Sequence, residues 1–128
     1  EGPKTYLGVG TAGFPNFFII TGPGSPSVLA NMVVGIEHHV NWIGDCVHHI
    51  EKNGYKNVEV LKEAEEEWVT HVNEVANRTL YTTCNNWYLG SNIPGKPRVF
   101  MPYIGGFPKY AEKVKAIVES DYKGFAFS

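Results

Sequence analysis

The residues best placed for chemistry follow an apolar run near the start of the chain. Residues 17–21 read FFIIT, and the run ends at Gly22-Pro23-Gly24, which a Ser/Pro loop connects to a segment of helical periodicity. A strand, a glycine turn and a helix N-terminus form the arrangement with which α/β proteins hold an anion or a cofactor edge. The turn lacks the Lys-Ser/Thr pair of a P-loop, so it suits a polar ring edge better than a triphosphate.

A second glycine motif, formed by Gly8, Gly10 and Gly13, matches the spacing GxGxxG. A dinucleotide fingerprint must follow a strand and open a helix, whereas Phe14-Pro15 and another apolar run follow this motif. We therefore interpret residues 8–13 as a flexible turn and not as a phosphate cradle.

The histidines, serines and cysteines lack the spacing of a metal site or an activated nucleophile. Four histidines fall on one predicted helix, where His38 and His49 share a face but stand roughly 16 Å apart. We interpret the histidines as surface or partner-facing side chains and predict no metal. Ser25 and Ser27 lack a GxSxG elbow, and no basic residue lies near Cys84 in sequence, so we predict no catalytic residue in this segment.

A long irregular stretch at about residues 81–97 contains the aromatic pair Trp87-Tyr88, followed by an Ile-Pro-Gly-Lys run at 93–96. Loops of this length inside small domains are usually functional or mobile. Two interpretations are open: Trp87 packs back on the core, or the loop is a lid that closes on a ligand with Trp87 as its flat contact.

The elements that must position these residues indicate an α/β fold. Asn31 is a plausible N-cap and Gly54 a natural stop for a helix over residues 31–53. Its apolar stripe is predicted to be buried and consists of Met32, Ile36, Val40, Ile43, Val47 and Ile50. The remaining pattern predicts strands at 17–21, 58–61, 98–103 and 124–127 and helices at 63–79 and 108–120.

Composition excludes several partners and indicates a small cytoplasmic protein. The 128 residues carry a net charge of −2, so neither a nucleic acid nor a membrane surface is expected as a partner. No apolar run approaches the roughly 20 residues that span a bilayer, and no signal sequence opens the chain. Cys46 and Cys84 are too few for a disulfide framework, and we interpret them as free thiols.

Five motifs in fixed order carry a family resemblance. They are GFPNFF at 13–18, GPGSPS at 22–27, IEHHVNWI at 36–43, NWYLGSNIPGK at 86–96 and GGF at 105–107. They closely resemble the C-terminal part of type I Baeyer–Villiger monooxygenases, and the resemblance covers essentially the whole chain. Because the loop after Gly24 is longer than in cyclohexanone-type enzymes, the phenylacetone branch of the family is favoured.

The resemblance implies an enzyme that binds FAD, uses NADPH and O₂, and converts a ketone into an ester or lactone. It implies the C-terminal fragment of a flavoprotein with two dinucleotide-binding domains: residues 1–54 end the FAD-binding domain, and residues 55–128 form an α/β extension with the control loop at about 81–97. The nucleotide-binding fingerprints and the catalytic arginine of the family belong to N-terminal FAD and NADP domains. The segment alone is therefore not expected to be catalytic.

The resemblance also implies a share of the site. Asn31 and Met32 match the helix start that faces the flavin, and Trp87 matches the control-loop tryptophan that contacts NADP. The residues that match the ketone pocket are Pro26, Ser27, Val28, Leu29, Ala30 and Met32. Without the missing domains, we expect the chain to expose apolar surface.

Two alternatives remain open. The first is a stand-alone α/β binding or dimerisation module descended from such an enzyme, with its histidine-bearing helix facing a protein partner. Within enzymes, an N- or S-oxygenating flavin monooxygenase is the rival, against which the control loop and the Ile-Pro-Gly-Lys run argue.

Overall fold

The computed structural model describes residues 2–27, 30–83, 85–91 and 93–128. In these ranges helices combine with one small sheet, as the α/β prediction requires. The elements in chain order are α1 (Met32–Asn53), β1 (Val58–Val60), α2 (Lys62–Asn77), α3 (Phe107–Glu119) and β2 (Phe125–Phe127), with 3₁₀ turns at Leu80–Thr82 and Trp87–Leu89. No helix in the described ranges combines the length and the apolarity needed to cross a bilayer.

Helix α1 has the boundaries that its capping residues predict. The Asn31 side chain accepts hydrogen bonds from the amides of Val33 (3.1 Å) and Val34 (3.3 Å), which satisfies two otherwise unpaired donors of the first turn. Gly54 ends the helix in the left-handed conformation at φ 70°. The predicted ends of α2, α3, β1 and β2 likewise lie within two residues of the observed ones.

The predicted buried stripe of α1 is wrong for most of its length. The residues that α1 buries are His39, Trp42 and Cys46, whereas Ile36, Val40 and Val47 are 40–49% exposed. Met32 is half-buried, and only Ile43 and Ile50 of the predicted set pack against the core. The helix is apolar on two adjacent faces, and periodicity does not tell which of them this chain covers.

Two of the predicted strands have no sheet partners among the described residues. Residues 17–21 were expected to be buried on both faces, but Phe17 and Ile20 are about half exposed, and the Ile19 amide bonds only to the carbonyl of Val9. Residues 98–103 bond to turns on both sides and form no ladder. In both cases the neighbouring chain is a turn, which has too few aligned amides and carbonyls to form a sheet.

The sheet and the core sit on the covered side of α1. β1 and β2 pair antiparallel, with Val58 opposite Phe127 and Val60 opposite Phe125. Trp42 of α1 packs on Tyr122 and Phe125 with ring centroids 5.5 and 5.3 Å apart. Aromatic rings therefore supply much of the contact between the first helix and the C-terminal strand.

The GxGxxG motif at residues 8–13 is a turn whose donors are already used. Glu65, buried on α2, accepts from the Thr11 hydroxyl (2.8 Å) and from the Ala12 amide (3.0 Å). Glu59 accepts from the Gly13 amide at 3.1 Å. Carboxylates of the chain itself thus accept the hydrogen bonds that this end of the turn donates.

Replacing Glu65 by alanine is expected to lower the free energy of unfolding by about 2–3 kcal/mol, because two donors lose their acceptor in a buried place. The matched control is Glu66→Ala on the next position of α2. Glu66 is exposed and faces Lys62 at 4.0 Å, so its loss should cost under about 0.5 kcal/mol. Urea denaturation measures both values, and equal costs for the two variants would contradict the role given to Glu65.

Candidate functional site

The N-terminus of α1 presents an exposed N-cap residue beside two exposed valine side chains. Asn31 is exposed, Met32 is half-buried, and Val33 and Val34 are 72% and 43% exposed. The Asn31 side chain already bonds the Val33 and Val34 amides. A ligand carbonyl that approaches this helix end would therefore compete with the cap, while the helix dipole favours a partial negative charge there.

The turn at Gly22–Gly24 is fixed on several sides before the chain enters the predicted pocket loop. The Gly24 amide donates to the Met101 carbonyl (2.6 Å), and its carbonyl accepts from Trp68 Nε1 (3.2 Å). Gly24 has φ 78°, and a Cβ there would stand 2.9 Å from Trp68 Nε1, so glycine is required. The buried Ser25 hydroxyl donates to the Gly22 carbonyl at 2.7 Å.

The predicted pocket loop is described at its two ends. Pro26 is buried, Ser27 is half-buried with a left-handed φ of 44°, and the Ala30 amide donates to the Ser27 carbonyl at 3.1 Å. Val28 and Leu29, which the resemblance assigns to the ketone pocket, lie outside the described residues. The described members of the set thus follow the fixed turn and lead directly into the N-cap of α1.

Trp87 projects from the surface of the chain. Its side chain is 62% exposed, and the ring leans on Tyr88 with centroids 4.2 Å apart. Leu89, two residues further on, is buried beside Phe100 and Ala76. The loop is therefore anchored through Leu89, and the Trp87 ring does not pack into the core of this chain.

An extended segment connects the Trp87 loop to the glycine turn. The Met101 amide donates to the Tyr88 carbonyl (3.0 Å), and the Met101 carbonyl accepts from the Gly24 amide (2.6 Å). No hydrogen bond or ring contact in the described ranges joins Trp87 to Asn31 or Met32. The predicted site residues thus fall into two groups, the pocket loop with the α1 end and the Trp87 loop, linked through Met101.

His39 was predicted to be a surface side chain, but it is 1% exposed. Its Nδ1 accepts from the Thr21 amide at 2.9 Å, and its Nε2 lies 2.6 Å from the Tyr110 hydroxyl. That hydroxyl donates to the Leu7 carbonyl at 2.6 Å. No sequence signal could have found this arrangement, because Tyr110 lies 71 residues further along the chain than His39.

The stability of the fold is expected to fall as the pH is lowered because His39 is held neutral. Burial, with a smaller effect of His38, lowers the pKa of His39 from 6.5 to about 4. Below pH 6.5 the unfolded chain takes up a proton at this histidine, whereas the folded chain does not. The contribution of His39 to the free energy of unfolding is therefore complete above pH 6.5 and falls by up to about 1.4 kcal/mol per pH unit down to about pH 4.

The comparison that isolates this effect is between the wild type and His39→Gln, because burial also lowers the pKa of His38 and His71. Between pH 6.5 and about pH 5 the free energy of unfolding, measured by urea denaturation, should fall by about 1.6 kcal/mol more in the wild type than in the variant. Parallel pH profiles would show that His39 is not held neutral by the fold.

The described residues hold no group of three metal-ligating side chains. Burial raises the pKa of the free Cys46 thiol to about 11, which makes it a poor nucleophile at neutral pH. Cys84 lies outside the described residues.

The chain is similar in sequence to several monooxygenases. No family model matches the chain. It is 38% identical over 125 residues to a phenazine N-monooxygenase of Lysobacter antibioticus, covering 98% of this chain and 23% of the relative. It is 36% identical to an acetone monooxygenase (methyl acetate-forming) of Gordonia sp. strain TY-5, covering 98% and 24%. It is 39% identical to a Baeyer–Villiger monooxygenase of Pseudooceanicola batsensis, covering 95% and 22%.

A solved structure of another monooxygenase is similar to the structure of this chain. A steroid monooxygenase bound to NADP superposes with a TM-score of 0.90 at 48% identity, over 98% of this chain and 23% of that chain. The chain therefore spans about a quarter of the length of the proteins it matches.

Proposed function

Because this chain is homologous to Baeyer–Villiger and related flavin monooxygenases over about a quarter of their length, we propose that it is the C-terminal part of such an enzyme. The full-length parent would use FAD, NADPH and O₂ to insert one oxygen next to a ketone carbonyl. The balance is ketone, O₂, NADPH and a proton giving an ester or lactone, NADP⁺ and water. The observation that carries the proposal is 36% identity, across 98% of this chain, to a monooxygenase that forms an ester from acetone.

The exposed apolar side of α1 supports a position inside a larger protein. Val33, Ile36 and Val40 are 72%, 40% and 49% exposed on this helix, and Phe14 and Phe17 are more than half exposed nearby in sequence. Exposed large apolar side chains in this number are uncommon on a free-standing domain. The occupants that we propose are the FAD and NADP domains of the same enzyme, with residues 1–54 ending the FAD domain and residues 55–128 forming the extension that carries the control loop.

The isolated 128-residue chain is accordingly expected to self-associate and to bind a hydrophobic dye. Replacing Val33 and Val40 by serine should reduce both, because it removes exposed methyl groups without touching the core. Light scattering and dye fluorescence measure the effect. A monomeric wild-type chain with a cooperative melt and no dye binding would instead favour the stand-alone module.

The residues present fit a flavin at the start of α1. The positive end of the helix dipole and the exposed Val33 suit the polar edge and the flat face of such a ring, and a ring carbonyl would bond the Val33 or Val34 amide in place of the Asn31 side chain. Bound FAD would supply the redox chemistry with NADPH and O₂. The chain would orient the ring through Asn31 and Met32, and charge that develops at the ring edge on reduction would be stabilised by the dipole.

The other site residues would bind substrate and nicotinamide. We assign the ketone pocket to the loop that includes Pro26, Ser27, Ala30 and Met32, together with Val28 and Leu29. Trp87, exposed on an anchored loop, is assigned to contact with NADP and to closure of the site against water. Aryl or small aliphatic ketones are the proposed substrates, and the cytoplasm, which supplies NADPH, is the proposed location.

N-oxygenation is the second candidate, and one relative favours it. The phenazine N-monooxygenase matches this chain as well as the ketone-oxidising relatives do. Both reactions would use the same cofactors, so the chain would keep its positions and only the pocket loop would meet a ring nitrogen in place of a ketone.

The test of the cofactor assignment is purification of the full-length parent. We expect a flavin absorption spectrum and oxygen consumption that depends on NADPH. A protein that carries no flavin after expression in flavin-rich medium, and consumes no NADPH, would contradict the proposal and favour the binding module.

A further inference from the structure

The hydrogen bonds around His39 run in one direction only. The Leu7 carbonyl can only accept and the Thr21 amide can only donate, so the two ends fix every proton between them. The Tyr110 hydroxyl donates to Leu7 and accepts from His39 Nε2–H, and the unprotonated Nδ1 accepts from Thr21. This relay, formed by Leu7, Tyr110, His39 and Thr21, works only with a neutral histidine in its Nε2–H form.

Both ends of the relay are residues in a disfavoured backbone conformation. Leu7 has φ 58° and Thr21 has φ 52°, values that L-residues with branched side chains rarely adopt. Such conformations persist only where the surroundings hold them. A further hydrogen bond outside the relay, from the Gly22 amide to the Gly8 carbonyl at 3.0 Å, joins the two turns directly.

The relay thereby connects helices α1 and α3 to the turn that leads into the pocket loop. Thr21 immediately precedes Gly22, whose carbonyl accepts from the amide and the hydroxyl of Ser25 at 3.1 and 2.7 Å. From this geometry we infer that His39, supported by Tyr110, is a positioning residue that fixes the direction in which the chain leaves Thr21 toward Pro26 and Ser27. The part of this inference that concerns substrate rests on the proposed function, whereas the part that concerns the turn does not.

Of the two ring nitrogens of His39, only Nδ1 bonds the turn, so the positioning role belongs to Nδ1 and not to Nε2. An asparagine at position 39 keeps an acceptor near the place of Nδ1, and a glutamine keeps a donor near the place of Nε2. A histidine that merely fills the core would tolerate the two amides alike, since both variants lose the ring and leave one polar partner unsatisfied.

The experiment compares His39→Asn, His39→Gln and His39→Leu in the full-length parent, with His48→Asn as the control. His48 lies on the same helix and is exposed, whereas the ring of His38 contacts both His39 and Tyr110. Hydrogen exchange of the Thr21 amide, resolved by fragmentation mass spectrometry, reports the turn, and the KM and kcat for the ketone report the loop.

We expect Thr21 exchange to accelerate about tenfold or more in the His39→Gln and His39→Leu variants, the factor that corresponds to one lost hydrogen bond. The ketone KM should rise about as much in these two variants while kcat changes less. The His39→Asn variant should stay within about threefold of the wild type in both measurements, because it keeps the acceptor for the Thr21 amide.

Unchanged Thr21 exchange in His39→Leu, or equal behaviour of the His39→Asn and His39→Gln variants, would overturn the inference. A parent that oxidises no ketone would overturn the proposed substrate, while the exchange result still decides the role of His39.

Discussion

Replacing Trp87 by alanine in the full-length parent is expected to raise the KM for NADPH about tenfold, the effect of losing the aromatic contact with the nicotinamide cofactor that we propose for this residue. It should also divert most of the consumed NADPH to hydrogen peroxide. The physical reason is that Trp87 is 62% exposed on a loop anchored through the buried Leu89, so its ring is free to cover a ligand. Without that ring, water would reach the flavin and oxygen transfer would compete with peroxide release.

The measurement is the ratio of product formed to NADPH consumed, with peroxide quantified in parallel. Trp87→Phe keeps a flat ring and should retain most of the coupling. Leu80→Ala controls for the loss of any exposed apolar side chain. Leu80 is 80% exposed and is not predicted to contact NADP. Unchanged coupling in Trp87→Ala would contradict the lid role and return Trp87 to an ordinary surface position.

Replacing Trp68 by alanine is expected to cost about 3–5 kcal/mol of unfolding free energy, the usual range for a large aromatic residue in a core. Trp68 is 7% exposed and stacks on Tyr103 with ring centroids 5.6 Å apart. Its Nε1 also donates to the Gly24 carbonyl. The same substitution should therefore loosen the glycine turn that leads into the predicted pocket loop.

Trp68→Phe separates the contribution of the aromatic ring from that of the hydrogen bond to the Gly24 carbonyl. It keeps an aromatic ring and loses the bond to Gly24, so it should cost about 1–3 kcal/mol, including the unsatisfied carbonyl. Thermal and urea denaturation of the parent, followed by far-ultraviolet circular dichroism, measure the free energy of unfolding of the wild type, Trp68→Ala and Trp68→Phe. A cost under about 1 kcal/mol for Trp68→Ala would show that the turn and the core do not depend on this side chain.

The sequence predicted those elements whose signals are local. Asn31 and Gly54 bracket α1 because capping depends on the backbone groups of the same helix end. β1 and β2 were predicted because β1 alternates apolar and charged residues and β2 is a short apolar run that follows Gly124. The GxGxxG motif is a turn, as its context predicted, although the carboxylates of Glu59 and Glu65 that bond it could not be foreseen.

The errors came from contacts that only the whole fold defines. The apolar pattern of α1 predicted one buried stripe, yet Val40 and Val47 on that stripe face outward while Cys46 faces the core. We attribute this to a helix that serves two interfaces, one inside this chain and one with the proposed flavin domains. Residues 17–21 show the same effect, because a strand predicted from apolarity presumes a neighbour that the described part of this chain does not provide.

The candidate site was predictable mainly through family resemblance. Spacing alone pointed to the turn at Gly22–Gly24 and to the Trp87 loop, but it left their ligands open. The relay through His39 had no sequence signal, since its partners at Leu7, Thr21 and Tyr110 come from three separate parts of the chain. The assignments of residues 26–32 and of Trp87 to substrate and cofactor remain predictions.

The central claim is that this chain belongs to an enzyme that converts a ketone into an ester. The most direct measurement incubates the full-length parent with NADPH, O₂ and phenylacetone and analyses the product by mass spectrometry. We predict benzyl acetate that carries one oxygen atom from labelled O₂. NADPH consumption that yields peroxide alone, or an N-oxide from phenazine with no ester from any ketone tested, would contradict the claim.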